Sequence, residues 1–311
     1  MSTPLTMRML DTTVSAGPGL RSRIVERPGL TLAPADLAAL VEDVRSVARS
    51  VLSDGDLTYG IFSGNKETLS RTVLTVVYEK KSGRPVAFNS LAILDADLGG
   101  RSVEILHLGL VMVRPDVRGS GLSATLYGMT CVLLFVRRQC RAVLVSSVTQ
   151  VPAVVGMVAE TFSDVYPGRP GARRSFQHER LAHQIMGRWR HAFGVGDEAG
   201  FNADRFVITD AYTGGSDELK KSFDSAAKHR IDIYNDLCAV ELDYDRGDDL
   251  LQIGQIDMRA ASRYLAKVAP PDTVLGLLGR FALLMIRAAL LPLVHWLDHT
   301  QPWGSLRAWK T

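Results

Sequence analysis

Residues 104–139 read EILHLGLVMVRPDVRGSGLSATLYGMTCVLLFVRRQ, and this stretch decides the fold. From position 107 to 113 nearly every residue is apolar and several are β-branched, as in a strand covered on both faces. Arg114-Pro115-Asp116 ends it, because Pro cannot continue a ladder and restricts the residue before it. Arg118-Gly119-Ser120-Gly121-Leu122-Ser123 then turns the chain. From 122 to 136 the apolar residues are too many for a solvated helix, so a largely buried helix is expected. A strand, a glycine turn and a helix N-terminus together form an anion site. The first-turn amides have no partner inside the helix and point along the positive end of its dipole. Gly119 and Gly121 let a diphosphate approach the backbone, and Arg118 adds a fixed positive charge.

Neither the G-x-x-x-x-G-K-[ST] loop nor a G-x-G-x-x-G followed by a ribose-binding acid is present. The pattern that fits is Arg-x-x-Gly-x-(Gly/Ala) after a strand ending in V-x-P. In this, Val113-Arg114-Pro115-Asp116-Val117-Arg118-Gly119-Ser120-Gly121-Leu122 resembles the acyl-CoA pyrophosphate loop of the GNAT superfamily of N-acyltransferases. Ser123 stands where Gly or Ala is usual; it is small and can donate a hydrogen bond to phosphate. The resemblance covers residues 58–165. It implies an α+β fold: a mixed, mostly antiparallel twisted sheet with flanking helices, here followed by a mainly helical C-terminal extension. It also implies acetyl-CoA or acyl-CoA as donor substrate. The backbone of Leu110, Val111, Met112 and Val113 would meet the pantetheine arm and thioester carbonyl, and Arg118 to Ser123 the diphosphate.

The next segment also resembles the family, in which an Asn is followed by an Ala three residues on, a Tyr and a Gly-Phe pair. Here Gln150, Ala153 and Phe162 take the Asn, Ala and Phe places, and Gln150 joins the donor-binding set. Met157 falls where the family often has the Tyr that protonates the leaving thiolate, which puts that role in doubt.

Acyl transfer from a thioester needs an amine that loses a proton, a polarised carbonyl and a departing thiolate. His107 is the favoured base: it is ionisable within an apolar strand, and the family often places Glu or His at about this offset before the loop. A core histidine donating to a carbonyl is the alternative. Glu104 is the second base candidate, although strand alternation puts it on the opposite face unless a bulge intervenes. Tyr127, in the helix after the loop, and Tyr166 are the candidates for the acid, against packed tyrosines with satisfied hydroxyls.

Outward from this core, 311 residues, 46% hydrophobic and with net charge +3, describe a globular chain. A charge this small argues against a dedicated nucleic-acid binder. Cys131, Cys140 and Cys238 form no C-x-x-C pair, which suits a reducing cytoplasm. Residues 1–30 read as a loose N-terminal arm, 31–165 as the acyl-CoA-binding core and 166–270 as the extension shaping the acceptor site. Within the core a helix is expected over 34–53, with strands over 57–62, 70–79, 85–94 and 142–148. Six arginines between 169 and 190 form a basic region, more simply a solvated surface than an anion site. No metal site is proposed: Asp243 to Asp249 has its Gly one place early for a calcium loop, and the histidines lack company.

Residues 271–311 read as an apolar amphipathic helix broken by Arg280, Arg287 and Pro292. Two readings stand, a core or dimer helix and an interfacial helix on the inner face of a membrane. The sequence therefore points to a CoA-dependent N-acyltransferase acting on a primary amine. A lipid-like acceptor or a long acyl chain, such as N-acylation of a long-chain base, is the specific expectation. A carrier-protein or aminoacyl-tRNA donor, or a non-catalytic acyl-CoA-binding module, remains open.

Overall fold

The computed structural model describes residues 9–52, 60–119, 121–169, 171–214 and 216–269, with 271, 274–276, 278, 279, 282 and 286. In chain order the elements are β1 (Asp11–Gly17), β2 (Leu20–Glu26), α1 (Pro28–Thr31), α2 (Pro34–Arg49), α3 (Lys66–Ser70), β3 (Thr72–Glu79), β4 (Pro85–Leu98) and β5 (Arg101–Val113). Then follow α4 (Leu122–Arg137), β6 (Val143–Thr149), α5 (Pro152–Thr161), β7 (Ser163–Tyr166), α6 (Phe176–Arg188), β8 (Gly200–Asn202), β9 (Val207–Thr209), α7 (Asp232–Glu241), β10 (Asp249–Ile256) and α8 (Met258–Lys267). They build one sheet in the order β1-β2-β3-β4-β5-β6-β10-β9-β8, with β7 beside β10. The pair β5–β6 is parallel and the others are antiparallel. This is the expected α+β fold: a meander, a glycine loop, a buried helix and a returning parallel strand.

Strand alternation divides the core into two faces. On one face α4 lies against the sheet, with Leu126, Met129 and Leu133 packed among Val73, Leu91 and Leu106. α8 locks it from outside: the Tyr264 hydroxyl donates to the Thr125 carbonyl at 2.9 Å. On the other face α2 covers Leu74, Phe88 and Met112 with Leu40 and Val44. Further along that face α6 covers Ile105 and Ile253 with Leu181 and Ile185.

Two expectations are corrected, and a third is filled out. The arm expected over 1–30 is, from Asp11 to Glu26, a hairpin on the edge of the sheet. Ile24 and Val25 are fully buried, and the carboxylate of Glu26 is gripped by Arg137 at 2.6 and 2.5 Å. The extension, expected to be mainly helical, contributes α6, α7 and α8 and adds the strands β8, β9 and β10 to the sheet. Of these, β10 pairs with β6 from Ile256↔Val143 to Leu250↔Thr149, since DLLQIGQI is apolar enough to be buried on both faces. The strand expected over 57–62 lies partly outside the described residues, and its end is a 3-10 helix, Gly60–Ser63. Most of the helix expected over 271–311 also lies outside them. Its described positions are helical, and Leu275, Leu278 and Ile286 are exposed. No helix among the described residues is long and apolar enough to cross a membrane.

Candidate active site

The site begins with a parting of two strands. β5 and β6 pair only from Ile105↔Leu144 to Leu108↔Ser147. Beyond that point β5 stays on β4 as far as Val113↔Ala87, and β6 stays on β10 as far as Thr149. The sheet therefore opens into a V whose apex lies at Leu108 and Ser147. A β-bulge stands beside the apex: the register steps from Asn89↔Val111 to Leu91↔Leu108, so Gly109 and Leu110 together oppose Ser90. Such a bulge bends its strand and increases the twist, which turns β5 away from β6. Glycine is required at 109, because a Cβ there would stand 2.6 Å from the Ser90 carbonyl oxygen.

The opened edge offers hydrogen bonds. The Arg114 amide donates to the Val86 carbonyl on β4 at 2.9 Å. By alternation the Met112 amide also faces β4, and those of Val111 and Val113 face the opening. An extended, amide-bearing chain can lie there as a missing strand. Of the expected donor-binding set, Leu110 and Val111 are half-buried beside the opening, whereas Met112 is buried on the α2 face.

The glycine loop closes the mouth of the V. Gly119 and Gly121 have φ of 81° and 71°, a left-handed backbone that other residues enter at a cost. A Cβ at either would meet nothing within 4 Å, so the loop surface is open. Gly121 is the N-cap of α4 and has no side chain to occupy the first-turn amides. Leu122 is buried and anchors the helix, Ser123 is exposed, and Ser120 lies outside the described residues. Arg118 folds back, its Nε donating to the Val113 carbonyl at 3.2 Å. That contact holds a positive charge between the strand end and the helix N-terminus.

Two candidate residues flank the apex from opposite faces. His107 sits one residue before it, opposite Ser146. It is 2% exposed, with Nδ1 3.0 Å from the Ser146 hydroxyl and its ring stacked on Phe193 at 4.6 Å. Burial lowers its pKa to about 4, so the imidazole is neutral at pH 7. On the α4 face the Tyr127 hydroxyl donates to the Gly109 carbonyl in the bulge. Burial raises its pKa above the usual phenol range.

Beneath α4 lies a residue that the sequence reading passed over. Asn89 is fully buried, and neither its Nδ2 nor its Oδ1 has a hydrogen-bond partner among the described residues. An unmet buried polar atom costs about 1–3 kcal/mol. The signal was visible as one amide within the apolar run VAFNSLAIL. Ser146 and Phe193 were also missed. Their contact with His107 comes from β6 and from the extension, which local patterning does not relate.

The structure places three other candidates elsewhere. Glu104 is bound on both oxygens, by Arg27 at 2.7 Å and by Arg138. It lies by the C-terminus of α4, about 24 Å along that helix from the glycine loop at 1.5 Å per residue. Tyr166 pairs with Ile253 of β10, three strand spacings or about 14 Å from β5. It lines a separate cavity of about 470 Å³ with Arg169, Arg205, Ile233 and Leu250. Gln150 is buried in a lock on the extension. Its amide accepts from Tyr212 at 2.5 Å and from the Lys221 amide at 2.9 Å, and donates to the Lys221 carbonyl at 3.0 Å. The Tyr212 hydroxyl is also 3.0 Å from Asp249 Oδ1. Burial raises the pKa of Asp249 to about 8. A protonated Asp249 can donate to Tyr212 while Tyr212 donates to Gln150.

No family model matches the chain, and no curated protein matches it. Solved structures do. One is the ribosomal-protein-S5-alanine acetyltransferase of Vibrio fischeri, 12% identical over 44% of this chain and 74% of that one, with a TM-score of 0.30. Another is an acetyltransferase of Trypanosoma brucei, 23% identical over 38% and 76%, with a TM-score of 0.25. A third is the NatC complex bound to Gag peptide and CoA, 14% identical over 38% and 72%, with a TM-score of 0.27.

Proposed function

We propose that this chain is a CoA-dependent N-acyltransferase. The observation that carries the reading is the V between β5 and β6 with a glycine-capped helix N-terminus at its mouth. The diphosphate of the donor lies on the amides of Gly121 to Ser123, beside Arg118. The pantetheine arm runs along β5, taking the Val111 and Val113 amides, and brings the thioester to the apex. An amine entering from the His107 face attacks the thioester carbon, a C–N bond forms, and the C–S bond breaks with its electron pair leaving on sulfur. The amine's proton passes to neutral His107, directly or through water, and from there to solvent or to the thiolate. A pKa near 4 makes His107 a weak base for a free ammonium ion. It accepts the proton as bonding to the acyl carbon acidifies the nitrogen. Tyr127 takes a positioning part. Its pKa lies far above the thiol value of about 8.5, so proton transfer from it to a thiolate runs uphill, and its bond to Gly109 holds the bulge.

For the acceptor we favour an amine on a lipid-like molecule, or a long acyl chain on the donor. In support, Leu275, Leu278, Ala282 and Ile286 recur at helical spacing and are all exposed, as on a helix lying in a membrane interface. Titration calorimetry with CoA, acetyl-CoA and longer acyl-CoA esters tests the donor site. Heat is expected with each, with about tenfold weaker binding for Arg118→Ala, and no heat with any of them removes the enzyme reading. Flotation with anionic vesicles tests the tail: the full chain is expected to float and a chain without residues 271–311 to stay down.

A further inference from the structure

We infer that Asn89 is a binding residue for the acyl donor, recognising a neutral group that donates and accepts a hydrogen bond at once. The inference rests on the reading of the V as the donor site. Asn89 is the cross-strand partner of Val111, the half-buried residue whose amide faces the opening. Side chains paired in this way share a face, with Cβ atoms about 5 Å apart. The amide group therefore stands one strand in from the cleft, beneath α4 and beside the bulge.

Five other polar side chains under α4 have their partners. Ser22 donates to the Val14 carbonyl at 3.2 Å. Thr75 and Thr130 bond to each other at 2.8 Å, and Thr130 also donates to the Leu126 carbonyl. Tyr127 is bound to Gly109 and Tyr264 to Thr125. Asn89 stands among them with one orphan donor and one orphan acceptor on the same fully buried side chain. If packing alone shaped this position, an apolar residue of the same size would serve it better. A hydroxyl or a secondary amide matches both orphans together. Two parts of the donor offer such a group: the pantetheine arm itself, and an acyl chain that carries a hydroxyl near the thioester.

Asn89→Leu keeps the volume and removes the polarity, and Asn89→Ala serves as a second variant should the first not fold. Calorimetry is run on the wild type and on each variant with CoA, decanoyl-CoA and 3-hydroxydecanoyl-CoA, and the melting temperature of each ligand-free protein is recorded. Melting of the ligand-free Asn89→Leu protein at or above the wild-type temperature is expected, with at least tenfold weaker donor binding. Loss of affinity for all three ligands assigns the contact to the pantetheine arm, and loss for the hydroxyacyl ester alone assigns it to the acyl hydroxyl. Equal affinities in wild type and variants for all three ligands overturn the inference while leaving the donor site standing. No heat with CoA on the wild type removes the donor site and this inference with it.

Discussion

His107 and Asp249 give the protein opposite responses to pH. The pKa of His107 falls from 6.5 to about 4 on folding, so the unfolded chain holds a proton that the native one lacks. Its contribution to stability is therefore present above pH 6.5 and is lost as pH falls toward 4. The pKa of Asp249 rises from 3.8 to about 8, so here the native state holds the extra proton, and stability is lost as pH rises toward 8. Below pH 6.5 the two slopes oppose each other. Between 6.5 and 8 Asp249 acts alone, at up to about 1.4 kcal/mol per pH unit. Denaturant titrations should show wild-type stability declining across that interval and Asp249→Asn holding level. His107→Asn should flatten the acid limb and lower turnover at least a hundredfold while CoA still binds; near-normal turnover from pH 6 to 9 would remove His107 from the proton path. The sequence made His107 conspicuous as a lone ionisable group in an apolar strand. It could not show the ring stacked on Phe193 from the extension, a contact between residues far apart in the chain.

At the scale of elements, the glycine loop and α4 make one device. Gly121→Ala places a side chain at φ 71°, which costs about 1–2 kcal/mol, and it crowds the surface where the diphosphate would lie. A modest fall in melting temperature with a larger loss of CoA affinity is expected, whereas unchanged affinity would argue that the loop binds nothing. Gly128 answers to packing instead, because a Cβ there would fall 2.0 Å from the Tyr264 ring. Gly128→Ala should separate α4 from α8 and lower stability by about 1–3 kcal/mol, read by chemical denaturation. The loop and its helix were legible because glycine, proline and unbroken apolarity leave few alternatives locally. Gln150 misled because spacing relative to a family pattern carries no information about burial. The side chain at that place is held by Tyr212 and Lys221, and no segment before position 200 announces them.

Across the whole molecule, the sheet is completed at both ends by segments that local patterning undervalued. The hairpin of β1 and β2 falls in the stretch expected to be a loose arm, yet the Glu26–Arg137 pair ties it to the far end of α4. Glu26 is 2% exposed, so Glu26→Ala strands a guanidinium and should cost about 3–5 kcal/mol. Equilibrium unfolding checks this, and a loss within 1 kcal/mol would show the clasp to be dispensable. At the other end β10 becomes the outer neighbour of β6, joining Val143 to Ile256 across more than a hundred intervening positions. That pairing has a consequence during synthesis. A ribosome adding about 5–20 residues per second needs roughly 5–20 s after finishing β6 to deliver β10. Throughout that interval the nascent chain displays a sticky, half-zippered ribbon, and a chaperone able to cover it should raise the yield of soluble protein more than any buffer change.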